Sequence, residues 1–330
     1  CWKSLWIKKD FDVIYVYQLS PVLMTFPALL LKKITGKKVL LYCLDMWPES
    51  FKYNGITEKN MLYRIINKVS KFIYKHCDFI QTTSATHKKY MIQENGISES
   101  KVEVLYQHEI EKPVNNNIDV GFDNSISNVV YVGNIGATQS TDIIIKAAEL
   151  LKEDNIMFHI MGDGSEFERC KAMASQMKLN NIKFYGEVSF EFSQVALHKA
   201  TVSIITMKKG SEIDYPFPGK LQSYLICGTP IIAAMNNEAA EFIMEKQCGL
   251  CGNSEDHSAL ANNIKNLVEN NSLIDTFKNN AQNVYNTYFS TKHFLHQLNE
   301  SINHFLYENV RELNMKKKRI CFISLTNLYL

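Results

Sequence analysis

Val129-Val130-Tyr131-Val132-Gly133-Asn134-Ile135-Gly136-Ala137-Thr138-Gln139-Ser140 runs from a short apolar stretch through a glycine turn and into Thr141–Leu151, which has helical spacing. A brief apolar run bounded by glycine reads as a buried strand, and the period then changes to that of an amphipathic helix. The same unit recurs downstream. Strands are expected at Met157–Met161, Ile182–Tyr185, Val202–Thr206 and Pro230–Ala233. Helices are expected after them at Glu166–Met177, Phe190–Ala200, Lys220–Ile226 and Glu238–Lys246. Strands alternating with helices build a parallel sheet covered on both faces, and a run of this length makes a doubly wound α/β domain. Further helical stretches follow at Ser258–Asn270, Leu273–Tyr288 and Thr291–Leu306.

Working back toward the start, Val13–Tyr17, Val39–Leu44, Phe79–Thr82 and Val102–Leu105 read as strands of an earlier sheet. Asn60–His76 is strongly helical, with Leu62, Ile65, Ile66, Val69, Phe72 and Ile73 on one face and Arg64, Lys68, Lys71 and Lys75 on the other. Between the two series, Glu111–Ser127 contains Pro113 and three consecutive Asn and no apolar run. The organisation expected is therefore a first α/β domain over 1–112, a linker over 113–127 and a second domain over 128–290. A closing helix over 291–312 and a tail over 313–330 complete the chain.

The whole chain has 330 residues, 46% of them hydrophobic and 21% charged, which suits two globular cores and not a disordered polymer. A formal net charge of +2 gives no reason to expect a nucleic-acid partner. Most of the eight cysteines sit in apolar runs, as reduced thiols of a cytoplasmic protein do. Cys248 and Cys251 form a CxxC without a second ligand pair at zinc spacing, so no metal site is expected. The longest apolar stretch, Val22–Leu31, is too short to cross a membrane and contains Pro27. The chain opens on Cys1, and the tail from Met315 reads in two ways. It is either a solvated basic tail or the start of a neighbouring reading frame, with a methionine, a basic run and then a buried strand.

Ligands of an open parallel sheet bind beyond the carboxyl ends of its strands. The turns there hold the candidate chemistry. Gly133, Asn134 and Gly136 form a turn that either merely reverses the chain or lets backbone N–H groups approach an anion such as a diphosphate. Gly162-Asp163-Gly164 occupies the same rim after the next strand and has the same two readings. Pro218-Gly219-Lys220 places a cation in the first turn of a helix, against the helix dipole, and an anionic partner accounts for it. Glu241 stands early in a later helix, either as a favourable helix-start charge or as an acceptor for ribose hydroxyls. Lys208 and Lys209 follow another strand on this rim, as a solvated loop or as phosphate neutralisers. In the first part, Asp45-Met46-Trp47-Pro48-Glu49-Ser50 puts an aromatic beside two acids, the combination that holds a sugar by stacking and hydrogen bonds. A core tryptophan with solvated acids is the other reading. Gln18 and Ser20 end another strand on the same rim.

In these motifs and their order the chain resembles a family-4 glycosyltransferase of the branch that builds bacterial surface, capsular and O-antigen polysaccharides. The resemblance spans about residues 10–310 and is carried by Asp45–Ser50, Gly133–Gly136 and Pro218–Leu225. It implies a GT-B fold: two Rossmann-like doubly wound domains facing a cleft, with the first incomplete for want of a strand before Cys1. It implies a nucleotide-sugar donor, UDP-linked and carrying an N-acetylhexosamine or deoxy derivative, on the second domain. The donor would lie on Gly133, Asn134, Gly136, Gly162, Asp163, Gly164, Pro218, Gly219, Lys220, Ser223 and Glu241. It implies an acceptor, a saccharide or a polyprenyl-diphosphate-linked saccharide, on Gln18, Ser20, Asp45, Trp47 and Glu49. Lys220, Asp45 and Glu49 are the expected catalytic residues, with retention of configuration and no obligatory metal or other cofactor. The final helix is expected to cross back to the first domain. Helix 60–76 and the stretch 22–31 either rest on the inner face of the cytoplasmic membrane or, for the helix, form an ordinary surface helix packed on the sheet. Two acids that many relatives carry with seven residues between them are absent: Tyr215 and Ser223 stand in their places. Ala137 and Thr138 replace a basic residue common after the first glycine turn. A sugar-nucleotide epimerase of the same architecture and an inactive truncated remnant are the competing expectations.

Overall fold

The computed structural model describes residues 10–54, 56–113, 117–210, 217–307 and 319–324. In chain order, the first series is β1 (Val13–Gln18), α1 (Phe26–Thr35), β2 (Lys38–Cys43), α2 (Met61–His76), β3 (Phe79–Thr82), α3 (Ala85–Gln93) and β4 (Val102–Val104). The second is β5 (Ser127–Val132), α4 (Asp142–Leu150), β6 (Ile156–Met161), α5 (Phe167–Gln176), β7 (Ile182–Gly186), α6 (Phe190–Lys199) and β8 (Val202–Thr206). It continues through α7 (Gly219–Ile226), β9 (Ile231–Ala234), α8 (Glu238–Glu245), β10 (Gly249–Gly252), α9 (His257–Val268) and α10 (Asn271–Val284). Helix α11 (Thr291–Tyr307) and strand β11 (Ile320–Ile323) close the chain.

Two units result, residues 1–107 with 294–330, and residues 108–293. In the first, a parallel sheet has the order β11-β1-β2-β3-β4. One face packs Ile14, Val16, Val39 and Leu41 under Leu31 of α1, Ile73 of α2 and Met91 of α3. The other packs Tyr15, Leu40, Tyr42 and Phe79 under Phe294, Ile302 and Phe305 of α11. Both faces are thus covered, as a parallel sheet requires.

Residues 319–324 are not a separate tail in this architecture. Ile320–Ile323 pair in register with Val13–Val16, and Cys321 joins the core. The basic run 315–318 lies outside the described residues. The position beside β1 is held by β11.

In the second unit the order is β10-β9-β8-β5-β6-β7, all parallel. The chain lays down β5, β6 and β7 in one direction, then returns to place β8 on the other side of β5. That reversal makes the crevice between the carboxyl ends of β5 and β8 the expected ligand position of a doubly wound sheet.

The second unit begins at His108, ahead of the stretch expected as a linker. Glu109 donates its N–H to Phe289 O at 3.0 Å, and its carbonyl accepts from Tyr285 Oη at 2.9 Å. Phe122 stacks on His159 of β6 with ring centroids 4.0 Å apart. These contacts attach residues 108–112 and the described part of 113–127 to the second unit. Sequence composition alone had marked this stretch as polar and apolar-poor, which says nothing of single anchoring contacts.

Candidate active site

The rim between β5 and β8 is built from three loops. After β5, Gly133 turns with φ +143 and donates its N–H to Met161 O at 3.0 Å. After β6, Gly162 turns with φ +130, so close to the first loop that a Cβ there would stand 1.9 Å from Gly133 O. Only glycine fits at that crossing. Ile135 N–H donates to Asp163 O at 2.9 Å and Glu166 N–H to Ile135 O at 2.9 Å, which stitches the two loops together.

The third component comes from α7, whose N-cap is Pro218. Lys220, one residue into that helix, lies across the first loop. A Cβ on Gly133 would stand 2.4 Å from Lys220 Cε. The ammonium is 5.2 Å from the Tyr131 ring centroid and donates to Gln139 Oε1 at 2.6 Å. Tyr224, on the same helix, donates from its hydroxyl to Val132 O at 3.1 Å and fixes α7 to β5. No ion pair involves Lys220 among the described residues. Burial alone pushes its ammonium down to about 8, because a charge taken from water without a counter-ion favours the neutral form. The arrangement is a half-buried cation held on a glycine-lined turn, with no acid paired to it among the described residues.

Other expected donor residues are distributed differently. Asn134 and Asp163 are exposed on the two stitched loops, and Gly164 N–H is capped by Asp163 Oδ1 at 2.7 Å. Gly219 is open, with nothing within 4 Å of a Cβ position. Gly136 packs on the Asn134 side chain. Ser223 turns away from Lys220: its hydroxyl donates to Glu109 Oε2 at 2.8 Å. Glu241 lines a separate cleft of ≈ 500 Å³ with Asn236, Asn237 and Asn253, beyond β9 and β10. Neither bonds to Lys220 among the described residues. Tyr215 lies outside the described residues. The Cys248 and Cys251 thiols donate to carbonyls of α8, and burial pushes both up to about 12.

Three residues expected on the acceptor side, Gln18, Asp45 and Glu49, bond within their own unit. Gln18 is fully buried and bridges strands: its amide donates to Leu19 O and Asp45 O, each at 3.0 Å, and accepts from Cys43 Sγ. Glu49 is also buried. Its carboxylate accepts from Tyr63 Oη at 2.8 Å and Tyr90 Oη at 3.0 Å and pairs with Lys52 Nζ at 2.7 Å. Asp45 accepts from Trp47 Nε1 at 2.9 Å and from Ser50 Oγ. Trp47 itself packs on the core and edge-on against Phe51, 4.6 Å between centroids. A buried carboxylate that accepts three bonds braces the loop it sits in. Ser20 remains exposed at the end of β1.

Sequence reasoning missed Gln139, Tyr131 and Glu109. Gln139 carries no motif, and its importance follows only from the lysine that reaches it. Tyr131 looked like one more strand residue.

Two parallel α/β units, with Lys220 lying on the Gly133 turn at the strand-order reversal of the second, define the class of the protein. Residues 119–284 match the family described as Glycosyl transferases group 1, and the chain belongs to that family. It is a glycosyltransferase with two Rossmann-like units of the GT-B fold. A Methanocaldococcus jannaschii protein described as an uncharacterized glycosyltransferase, MJ1069, is 25% identical over 86% of this chain and 73% of its own length. A putative colanic acid biosynthesis glycosyl transferase of Escherichia coli, WcaI, is 25% identical over 63% of this chain and 54% of its own. In fold, the chain is similar to Anabaena Alr3699/HepE, solved in complex with UDP. That likeness has a TM-score of 0.70 at 15% identity and covers 89% of this chain and 79% of that one.

Proposed function

We propose that the chain moves a sugar, an N-acetylhexosamine or deoxy derivative, from a UDP-linked donor to a saccharide or lipid-linked saccharide acceptor in surface polysaccharide synthesis. The single observation that carries this reading is the unbalanced Lys220 ammonium lying on the Gly133 turn. Bond cleavage at the donor's anomeric carbon transfers negative charge to the departing diphosphate. A cation and helix amino end already fixed beside that oxygen stabilise the transition state without reorganising. The likeness to a UDP-bound GT-B structure supports the choice of nucleotide, and the likeness to a colanic acid enzyme supports the polysaccharide setting. Retention of configuration, with leaving-group charge carried by Lys220 and backbone N–H groups, belongs to the same proposal.

The acceptor side is proposed around Ser20 and the Asp45–Ser50 loop, with Glu49 and Gln18 bracing that loop and not touching substrate. A lipid-linked acceptor calls for a membrane-facing surface. Helix α2 exposes Met61, Leu62, Ile65 and Phe72 beside exposed Arg64, Lys68 and Lys75. Apolar side chains mixed with cations are what a helix needs to lie on an anionic bilayer. No helix among the described residues is long and apolar enough to cross a membrane.

Titration of the full chain with UDP tests the core of this reading. Wild type is expected to bind, and Lys220→Met to lose about 100-fold or more in turnover with a sugar-nucleotide donor and lipid-linked acceptor. Unchanged turnover in Lys220→Met sinks the assignment. Flotation with vesicles containing anionic lipid tests the surface role of α2, and a failure to float at low salt removes it.

A further inference from the structure

Lys220 does not stand free on its turn. Its Nζ donates to Gln139 Oε1 at 2.6 Å, although the two residues are 81 positions apart. Gln139 is itself tied down. Its N–H donates to Gly136 O at 3.0 Å, and its carbonyl accepts from Thr206 Oγ1 at the end of β8. Its amide nitrogen donates to Thr138 Oγ1 at 3.1 Å, which orients the oxygen toward the ammonium. The partner is therefore a fixed, neutral acceptor placed across the β5/β8 crevice.

The chemistry of that choice is informative. A carboxylate at this position would form a charge-assisted pair that an incoming anion must break. An apolar side chain would leave a half-buried ammonium without an acceptor, at the cost of its desolvation. An amide oxygen satisfies one N–H and leaves the net positive charge unbalanced. Among the described residues, an anion reaching the Gly133 turn competes with a neutral hydrogen bond and no ion pair.

We infer that Gln139 is a positioning residue: its amide oxygen holds the Lys220 ammonium over the Gly133 turn and yields it to the donor diphosphate. This rests on the reading of Lys220 as the diphosphate contact. The lowered proton affinity of Lys220 agrees with it, since a neutral partner does not offset burial as a carboxylate would.

The test is calorimetric titration of the full chain with UDP from about pH 7 to about pH 9.5, spanning the loss of the Lys220 proton. Wild-type affinity is expected to fall as pH rises through about 8. Gln139→Glu, nearly isosteric, is expected to weaken UDP binding by about tenfold or more at neutral pH and to move the fall-off to higher pH. Gln139→Leu is expected to move the fall-off to lower pH and to regain affinity as the pH is lowered. Thermal melting of each variant checks that the fold is kept. A merely structural role for Gln139 would lower affinity equally at every pH and leave the fall-off where it is, and that result overturns the inference. Lys220→Met separates the two levels. Should it bind UDP as wild type does, the diphosphate reading fails and takes Gln139 with it. Should it lose binding while both Gln139 variants keep the wild-type pH profile, the Gln139 assignment alone fails.

Discussion

At the carboxyl ends of the first sheet, Gln18, Asp45 and Glu49 use their polar atoms on Cys43, Trp47, Ser50, Tyr63, Tyr90 and Lys52, all neighbours in their own unit. At the carboxyl ends of the second, Lys220 has a neutral amide for a partner and, among the described residues, no acid. Both rims looked equally rich in functional residues. The difference between them is satisfaction: a polar group whose bonds are met inside the fold maintains a loop, and one left unbalanced has chemistry still to perform. For this chain, the second unit's rim is where activity should respond to mutation and the first unit's acids are where stability should.

The largest effect should come from Lys220→Met, with turnover down about 100-fold or more while the fold persists. Next, Gly162→Ala sets a Cβ against Gly133 O at 1.9 Å with φ +130, which should cost roughly 3 kcal/mol of stability and lower the melting temperature markedly. Glu49→Ala should destabilise by about 3 kcal/mol, because Tyr63, Tyr90 and Lys52 lose one shared acceptor, yet leave UDP affinity near wild type. A tenfold drop in UDP affinity in Glu49→Ala, measured on folded protein, would break the contrast between the rims. The smallest effect is on pH dependence. Lys220 binds its proton less tightly in the native state than unfolded, so the native state holds fewer protons between about pH 8 and about pH 10.5 and stability rises with pH across that window. Without ligand, Lys220→Met should therefore melt higher than wild type near neutrality. The gap should narrow above about pH 8, as differential scanning calorimetry would record.

Much of the fold was legible because strand and helix periods are local properties of the backbone. The apolar runs of β5, β6, β8 and β9 and the three-and-four spacing of α2 announce themselves within a few residues. Strand β10 escaped because Gly249-Leu250-Cys251-Gly252 is short and bounded by glycines, which weaken a strand pattern. Helix α1 was read only as an apolar stretch because Pro27 interrupts it, although proline is tolerated in a helix's first turn. In the site, Gly133 and Lys220 were legible because each breaks a local rule: a strand ending in glycine, and a cation at a helix start. The partners of Glu49 were not legible, because an acid beside a tryptophan looks the same whether water or two tyrosines receive it.

The sequence by itself determined two α/β units, the strands and helices that compose most of them, and the turns on which a ligand could rest, since nearest neighbours along the chain settle those. Tertiary structure decided which of those residues meet. The reversal of strand order puts β8 beside β5 and so brings Lys220 to Gln139, while strand pairing sets Ile320–Ile323 on β1 and helix packing closes Tyr63 and Tyr90 over Glu49. Such partners are tens to hundreds of residues apart, and no local pattern encodes a hydrogen bond across that distance.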